Sequence, residues 1–164
     1  MLKFIVGISL VVFGSFCGYF LARTYRKRRL FFAQFQEFNE RFLTEISYSK
    51  RPLADFFAGF QYDGSFACLL TDFYNSIESW GENGRDVLNM PDYDFITKQE
   101  KTMLFDYFLM LGKGDTISQK GYFSTLKLEL SKLQNETEIA NKRYGDLYVK
   151  IGFLCGLLIL ILIV

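Results

Sequence analysis

The chain of 164 residues contains no histidine. That removes the commonest general base and metal ligand. Two prolines leave few breaks, and three cysteines form no disulfide framework: Cys17 and Cys155 fall in apolar runs, and Cys68 stands alone between them. There is no phosphate-binding loop, no dinucleotide glycine motif, no C-x-x-C and no nucleophile elbow. Glu136/Glu138 and Asp92/Asp94 are spaced two apart, so on a helix neither pair shares a face. No β-alternation, internal repeat or low-complexity tract is present. The absences exclude most enzyme classes and leave no cofactor or metal to expect.

What is abundant is apolar surface. Half the residues are hydrophobic and 19 are Phe. Leu2 to Ala22 carries only Lys3 as a charge and has the length of a helix that crosses a bilayer. Its hydrophobic stretch is too long for a signal peptide and lacks an A-x-A site. Ser15-Phe16-Cys17-Gly18 only loosely suggests a lipoprotein site, because Phe16 is bulky. A second apolar run starts at Ile151, with Tyr148 and Val149 at its rim and Lys150 placed to snorkel. The expected organisation is a membrane helix over 2–22, a cytosolic helical domain over 23–148 and a second membrane helix over 149–164. Arg23, Arg26, Lys27, Arg28 and Arg29 come directly after the first run, and Lys142, Arg143 and Lys150 precede the second. Basic residues beside membrane helices stay cytosolic, so both clusters place the middle of the chain on that side. Anionic lipid accounts for the basic heptapeptide better than nucleic acid does.

Between these runs the pattern is helical. Phe31, Phe35, Phe38, Phe42 and Ile46 share one helix face, so the first helix is expected to continue into the cytosol. Pro52 starts a second helix with Leu53, Phe56, Phe57 and Phe60 apolar. Asp63-Gly64-Ser65 reads as a turn. Leu70, Tyr74, Ile77 and Trp80 mark the inward face of a third helix, which Gly81 and Asn83-Gly84 end. A short fourth runs from Asp86 to Met90 before Pro91. Thr97-Lys98-Gln99-Glu100 is a capping box opening a fifth. Gly112 closes that helix, and Asp115 or Thr116 caps the sixth, with Gln119 completing a second box.

The last helix carries Phe123, Leu126, Leu130, Leu133, Thr137, Ala140, Tyr144, Leu147 and Ile151 at alternating spacings of three and four. The stripe serves either a bundle core or an intermolecular coiled coil. Unbroken from Leu126 to Ile151, it would couple the cytosolic domain rigidly to the second membrane helix. Residues 51 to 100 are rich in Asp and Glu (Asp55, Asp63, Asp72, Glu78, Glu82, Asp86, Asp92, Asp94, Glu100), a solvated face or an acidic docking surface. Both apolar runs hold G-x-x-x-G, at Gly14/Gly18 and Gly152/Gly156. In lipid such spacing lets helix backbones approach closely, either with each other or with other membrane proteins.

Several stretches together resemble one family. They are the glycine-spaced first run with its basic cluster, then Glu45, Ile46, Tyr48, Pro52 and Leu53 in an E-I-x-Y-x-x-x-P-L pattern, and Trp80. Leu111, Gly112, Asp115 and Gln119 come next in L-G-x-x-D-x-x-x-Q, and Tyr148, Gly152 and Gly156 close the set. Over nearly its whole length the chain is similar to stage III sporulation protein AB of endospore-forming Firmicutes. Gly114 and Arg51 depart from the family pattern where Ser and Thr are expected. The resemblance implies an all-α protein: a small bundle of about six helices, similar to the cytoplasmic domain of the type II secretion inner-membrane platform protein, flanked by membrane helices. It implies a non-catalytic scaffold of the channel between mother cell and forespore. Implied partners are the other proteins AA to AH, including the cytosolic ATPase AA, with membrane lipid, a homo-oligomer and no nucleic acid. The implied location is the mother-cell membrane facing the forespore. A platform protein of a general secretion or pilus system, or a membrane-tethered dimeric adaptor, is the competing reading. The family-motif residues serve either the fold or a partner contact.

Overall fold

The computed structural model describes residues 2–48, 57, 62–111 and 116–163, and within these the side chains of all but 2–8, 10, 48, 116, 160, 162 and 163. Every regular element among the described residues is helical. Among the described residues six α-helices run in order: α1 (Leu2–Tyr48), α2 (Gly64–Asn75), α3 (Trp80–Leu88), α4 (Lys98–Met110), α5 (Thr116–Ala140) and α6 (Asp146–Ile163). A 3-10 turn, Pro91–Tyr93, precedes α4, and a π-helical turn, Asn141–Gly145, joins α5 to α6. The contacts divide the chain into two units: residues 1–29 with 135–164, and residues 30–134.

In the 30–134 unit, the phenylalanine face of α1 is the core. Phe31, Phe32, Phe35, Phe38 and Phe42 are all buried, and Ile46 packs against them in part. The rings meet edge to face, as ring quadrupoles prefer. Phe35 lies 4.8 Å from Tyr107 at 82°, and Phe42 lies 5.0 Å from Phe123 at 87°. Phe73, Trp80 and Phe108 extend the cluster. Gly64 begins α2 at φ +65°, a left-handed conformation that suits glycine. The Gln34 side-chain amide, turned to suit its neighbours, bonds both the N–H and C=O of Asp63 and ties this turn to α1.

The Thr97–Glu100 capping box forms. The Thr97 amide donates to Glu100 Oε2 at 2.9 Å, and the Glu100 amide donates to Thr97 Oγ1 at 3.4 Å. Glu100 is buried in this role. Glu78, Glu82, Asp86, Asp92 and Asp94 of the acidic stretch are exposed.

Four expectations change. Trp80 opens α3 and does not close the helix before it, because a four-residue turn separates it from α2. Tyr74 and Ile77 are exposed: α2 buries Phe66, Leu69, Leu70 and Phe73, which leaves Tyr74 on its outer side, and Ile77 lies in the turn that follows. Gly84 lies inside α3 and terminates nothing. Its missing side chain makes room for the Trp80 ring, because a Cβ there would sit 2.6 Å from the indole Cε2. The helix expected over Asp86–Met90 is the end of α3. The helix expected from Pro52 lies outside the described residues, apart from Phe57, which packs against Phe38 and Phe73.

The stripe along α5 also breaks. Phe123, Leu130 and Thr137 are buried, yet Leu147 and Ile151 are 43% and 45% exposed. The π turn holds one extra residue, which rotates the rest of the rod by about 100°. From the last residue of that turn onward, the inward positions are Gly145, Tyr148, Val149, Gly152 and Gly156. The stripe from Leu126 to Ile151 is therefore not one uninterrupted face. Among the described residues, no helix is long and apolar enough to cross a membrane. The expected spans 2–22 and 149–164 include side chains outside that description.

Candidate helix-pairing site

Within the unit of residues 1–29 and 135–164, α1 and α6 run antiparallel along a seam of glycines. As α1 ascends from Val11 through Gly14 and Gly18 to Tyr25, its neighbours on α6 and the π turn descend through Gly156, Gly152, Tyr148 and Tyr144. A Cβ at Gly14 would lie 2.7 Å from the Gly152 carbonyl oxygen, and one at Gly156 would lie 2.6 Å from the Val11 Cα. Cβ atoms at Gly18 and Gly152 would likewise run into the backbone of Tyr148 and of Gly14. All four G-x-x-x-G positions thus meet in one interface, where backbone rather than side chain makes the contact. Dispersion between closely packed backbones is what remains to join helices where hydrophobic burial drives little.

Within this unit the π turn Asn141–Gly145 marks a change of phase: the stripe positions Tyr144, Leu147 and Ile151 and the seam positions Gly145, Tyr148 and Gly152 differ by one residue, and Gly145 is buried in that turn.

Rings close the seam at one end. Tyr25 sits 5.5 Å from Tyr144 and 5.8 Å from Tyr148. A side-chain hydrogen bond with Tyr148 holds the Tyr25 hydroxyl pKa above its ordinary value, with burial adding. The basic residues gather at this end too: Arg23, Arg26, Lys27 and Arg29 are exposed, and Arg28 is half-buried. Arg26 stacks on Tyr19 at 5.6 Å, and Arg143 on Tyr144 at 5.5 Å. Lys142 donates to Glu138 at 2.9 Å and lowers that carboxyl's pKa. Away from the seam the helices present large apolar side chains to the outside: Val12, Phe13, Phe16 and Phe20 on α1, and Phe153, Leu154, Leu158 and Ile161 on α6.

Tyr148, Gly152 and Gly156 of the family set lie in this seam, and its members Glu45, Ile46, Trp80, Leu111 and Gln119 lie in the 30–134 unit. Trp80 is buried, and its indole N–H donates to the Phe105 carbonyl at 3.4 Å. Leu111 is core, while Glu45 and Ile46 are half-buried on α1. Gln119 donates to the Met110 carbonyl at a long 3.5 Å and so reaches the end of α4; it adds a contact that the expected second capping box did not include. Pro52, Leu53, Gly112 and Asp115 lie outside the described residues, as does the side chain of Tyr48.

Sequence reasoning passed over a buried polar link. Asn39 is fully buried, donates through Nδ2 to the Phe123 carbonyl at 3.2 Å and accepts from the Tyr107 hydroxyl at 3.3 Å. It joins α1, α4 and α5. Burial drives the Tyr107 pKa well above its ordinary value. A signal existed: Asn39 stands among Phe35, Phe38 and Phe42 on the apolar face, where a polar side chain needs a partner.

No curated protein and no solved structure matches the chain. The family model of stage III sporulation protein AB matches residues 3–164. That span takes in the glycine seam, the basic cluster and the aromatic core together, and the chain belongs to the stage III sporulation protein AB family, with a sporulation-related role.

Proposed function

We propose that the protein is a non-catalytic membrane scaffold of the channel assembled between mother cell and forespore. The 30–134 unit faces the mother-cell cytosol, and the 2–22 part of α1 sits in the membrane with α6 as a paired hairpin. The observation that carries the reading is the inverted build of that hairpin, with glycine backbone inside, bulky Phe, Leu and Ile outside, and cations collected at one end. In water, such a pair would leave its largest apolar side chains unburied. In a bilayer, the same arrangement places them against lipid and the cations at the anionic surface. The apolar sequence over 2–22 supports a full crossing.

Scaffolding rather than catalysis fits the chemistry present. The buried polar groups Asn39, Tyr107 and Glu100 are engaged in fold-keeping hydrogen bonds. The partners in this reading are the cytosolic ATPase AA and the other proteins of the AA to AH set, with a homo-oligomer as a further arrangement.

The test is crosslinked affinity purification from cells that have completed engulfment. Recovery of the sporulation ATPase and its channel neighbours supports the assignment. Recovery of general secretion or pilus proteins, or equal recovery from vegetative cells, overturns it. Topology has a separate test in Cys68, which is exposed. An impermeant maleimide should label it only after lysis.

A further inference from the structure

The corner between α3 and α4 carries a cleft that neither the aromatic core nor the hairpin uses. Its volume is about 320 Å³. Arg85, Lys98 and Lys101 bring three cations to it, Leu88 and Phe105 floor it, and Asn89 and Thr102 supply neutral polar groups at its edge. No acidic residue lines it. Among the described residues, none of the three cations is held in an ion pair. Glu82 and Asp86 neighbour Arg85 along α3 but are exposed and stand outside the cleft. Arg85 is already positioned, with its guanidinium 4.9 Å from the centre of the Phe105 ring. A planar fork held on a ring presents parallel donors, the geometry that grips a carboxylate at two points.

We infer that this cleft docks an acidic segment of a partner protein, with two or more carboxylates flanking a large apolar residue. The chemistry selects that occupant. Three cations around one concavity call for more than one negative charge. The apolar floor has nothing to offer a bare inorganic ion. At the start of α4 the capping box takes the Glu100 amide and the Lys101 amide donates to the Thr97 carbonyl, so the charge that fills the cleft comes from the three side chains. The positive charge here sits on side chains that reach outward, as suits a protein surface arriving from solvent. The cleft lies wholly within residues 30–134, so the inference does not depend on the hairpin being in lipid.

The experiment uses the full chain in nonionic micelles and the probe acetyl-Asp-Glu-Phe-Asp-Glu-amide. Trp80, the single tryptophan, contacts the Phe105 backbone and reports on the site by fluorescence. Amide resonances of Asn89 and Thr102 report on it directly. We expect saturable binding that weakens with salt and falls by about tenfold in Lys98→Gln/Lys101→Gln, both being rim charges. Arg85→Lys keeps the charge and loses the fork, and should weaken binding several-fold. All three positions lie on helix surfaces, and unchanged Trp80 emission of the free variants shows that they fold. The proposal is overturned by no saturable change at millimolar peptide, by equal binding of the Asn/Gln analogue, by an unaffected double variant, or by saturation with phosphate or ATP alone. Those outcomes leave the purification from engulfed cells to decide the scaffold reading separately.

Discussion

The two units solve the problem of holding helices together in opposite ways. Residues 30–134 interlock large side chains: Phe35, Phe38, Phe42, Phe73, Trp80, Phe108 and Phe123 fill the centre with rings that touch edge to face. Residues 1–29 with 135–164 do the reverse. Gly14, Gly18, Gly152 and Gly156 clear the centre, and rings such as Phe13, Phe16 and Phe153 are turned outward. The first arrangement stabilises through apolar surface removed from water. The second keeps its apolar surface outside, and suits an environment where that surface meets hydrocarbon.

The largest effect should come from emptying the first kind of centre. Phe35→Ala removes a fully buried ring and should cost roughly 3–5 kcal/mol. Denaturation followed by Trp80 fluorescence would read this, while the hairpin stays paired. Filling the second kind of centre is the mirror experiment. Gly18→Ala forces a Cβ into the Tyr148 backbone and should cost about 1–3 kcal/mol. Loss of oxidative crosslinking between a cysteine placed at Val11 and Cys155, with Cys17 and Cys68 replaced by Ser, would report it. A Phe35 variant that also lost this crosslink would dissolve the contrast.

Asn39→Ala tests how far the aromatic unit depends on this buried polar link. It strands the Phe123 carbonyl and the Tyr107 hydroxyl, at about 1–3 kcal/mol in the same denaturation assay. Alkaline titration sharpens the point. Burial raises the pKa of Tyr107 first, and of Tyr62, Tyr93 and Tyr122 as well. The folded state therefore keeps protons that the unfolded chain gives up near pH 10, so stability is constant below that and falls above it. Tyr107 alone contributes a slope of about 1.4 kcal/mol per pH unit. Urea midpoints between pH 8 and 11 should show the decline, and Tyr107→Phe should lessen it. The smallest effect has the opposite sign. A Cβ at Gly121 meets nothing within 4 Å, so Gly121→Ala in α5 should stabilise by roughly 0.4–1 kcal/mol. One substitution type would then destabilise at residue 18 and stabilise at 121, read by thermal unfolding of each.

The residues themselves dictated much of this. A phenylalanine every three or four positions from Phe31 to Phe42 can bury its rings only as one helix face. Thr97 and Glu100 cap α4 because both groups that the box needs lie within four residues of chain. The glycine spacing was equally plain, though not which backbones it would admit. The end of α2 was misread because Gly81 and Gly84 look like helix breakers, and only the Trp80 ring lying over Gly84 explains a glycine inside a helix. Asn39 was overlooked because its partners lie 68 and 84 residues away.

Local pattern, set by the 3.6-residue repeat, determined the helices, their polar caps and the two apolar faces of the α5 and α6 rod. Tertiary structure alone decided how those faces fit together. Within residues 30–134 the α5 stripe packs through side chains, and within residues 1–29 and 135–164 the α6 seam meets α1 through bare backbone, at positions one residue off the stripe. Neither stripe records the mismatch by itself. The π turn at Asn141–Gly145, with its one extra residue, is where the phase changes.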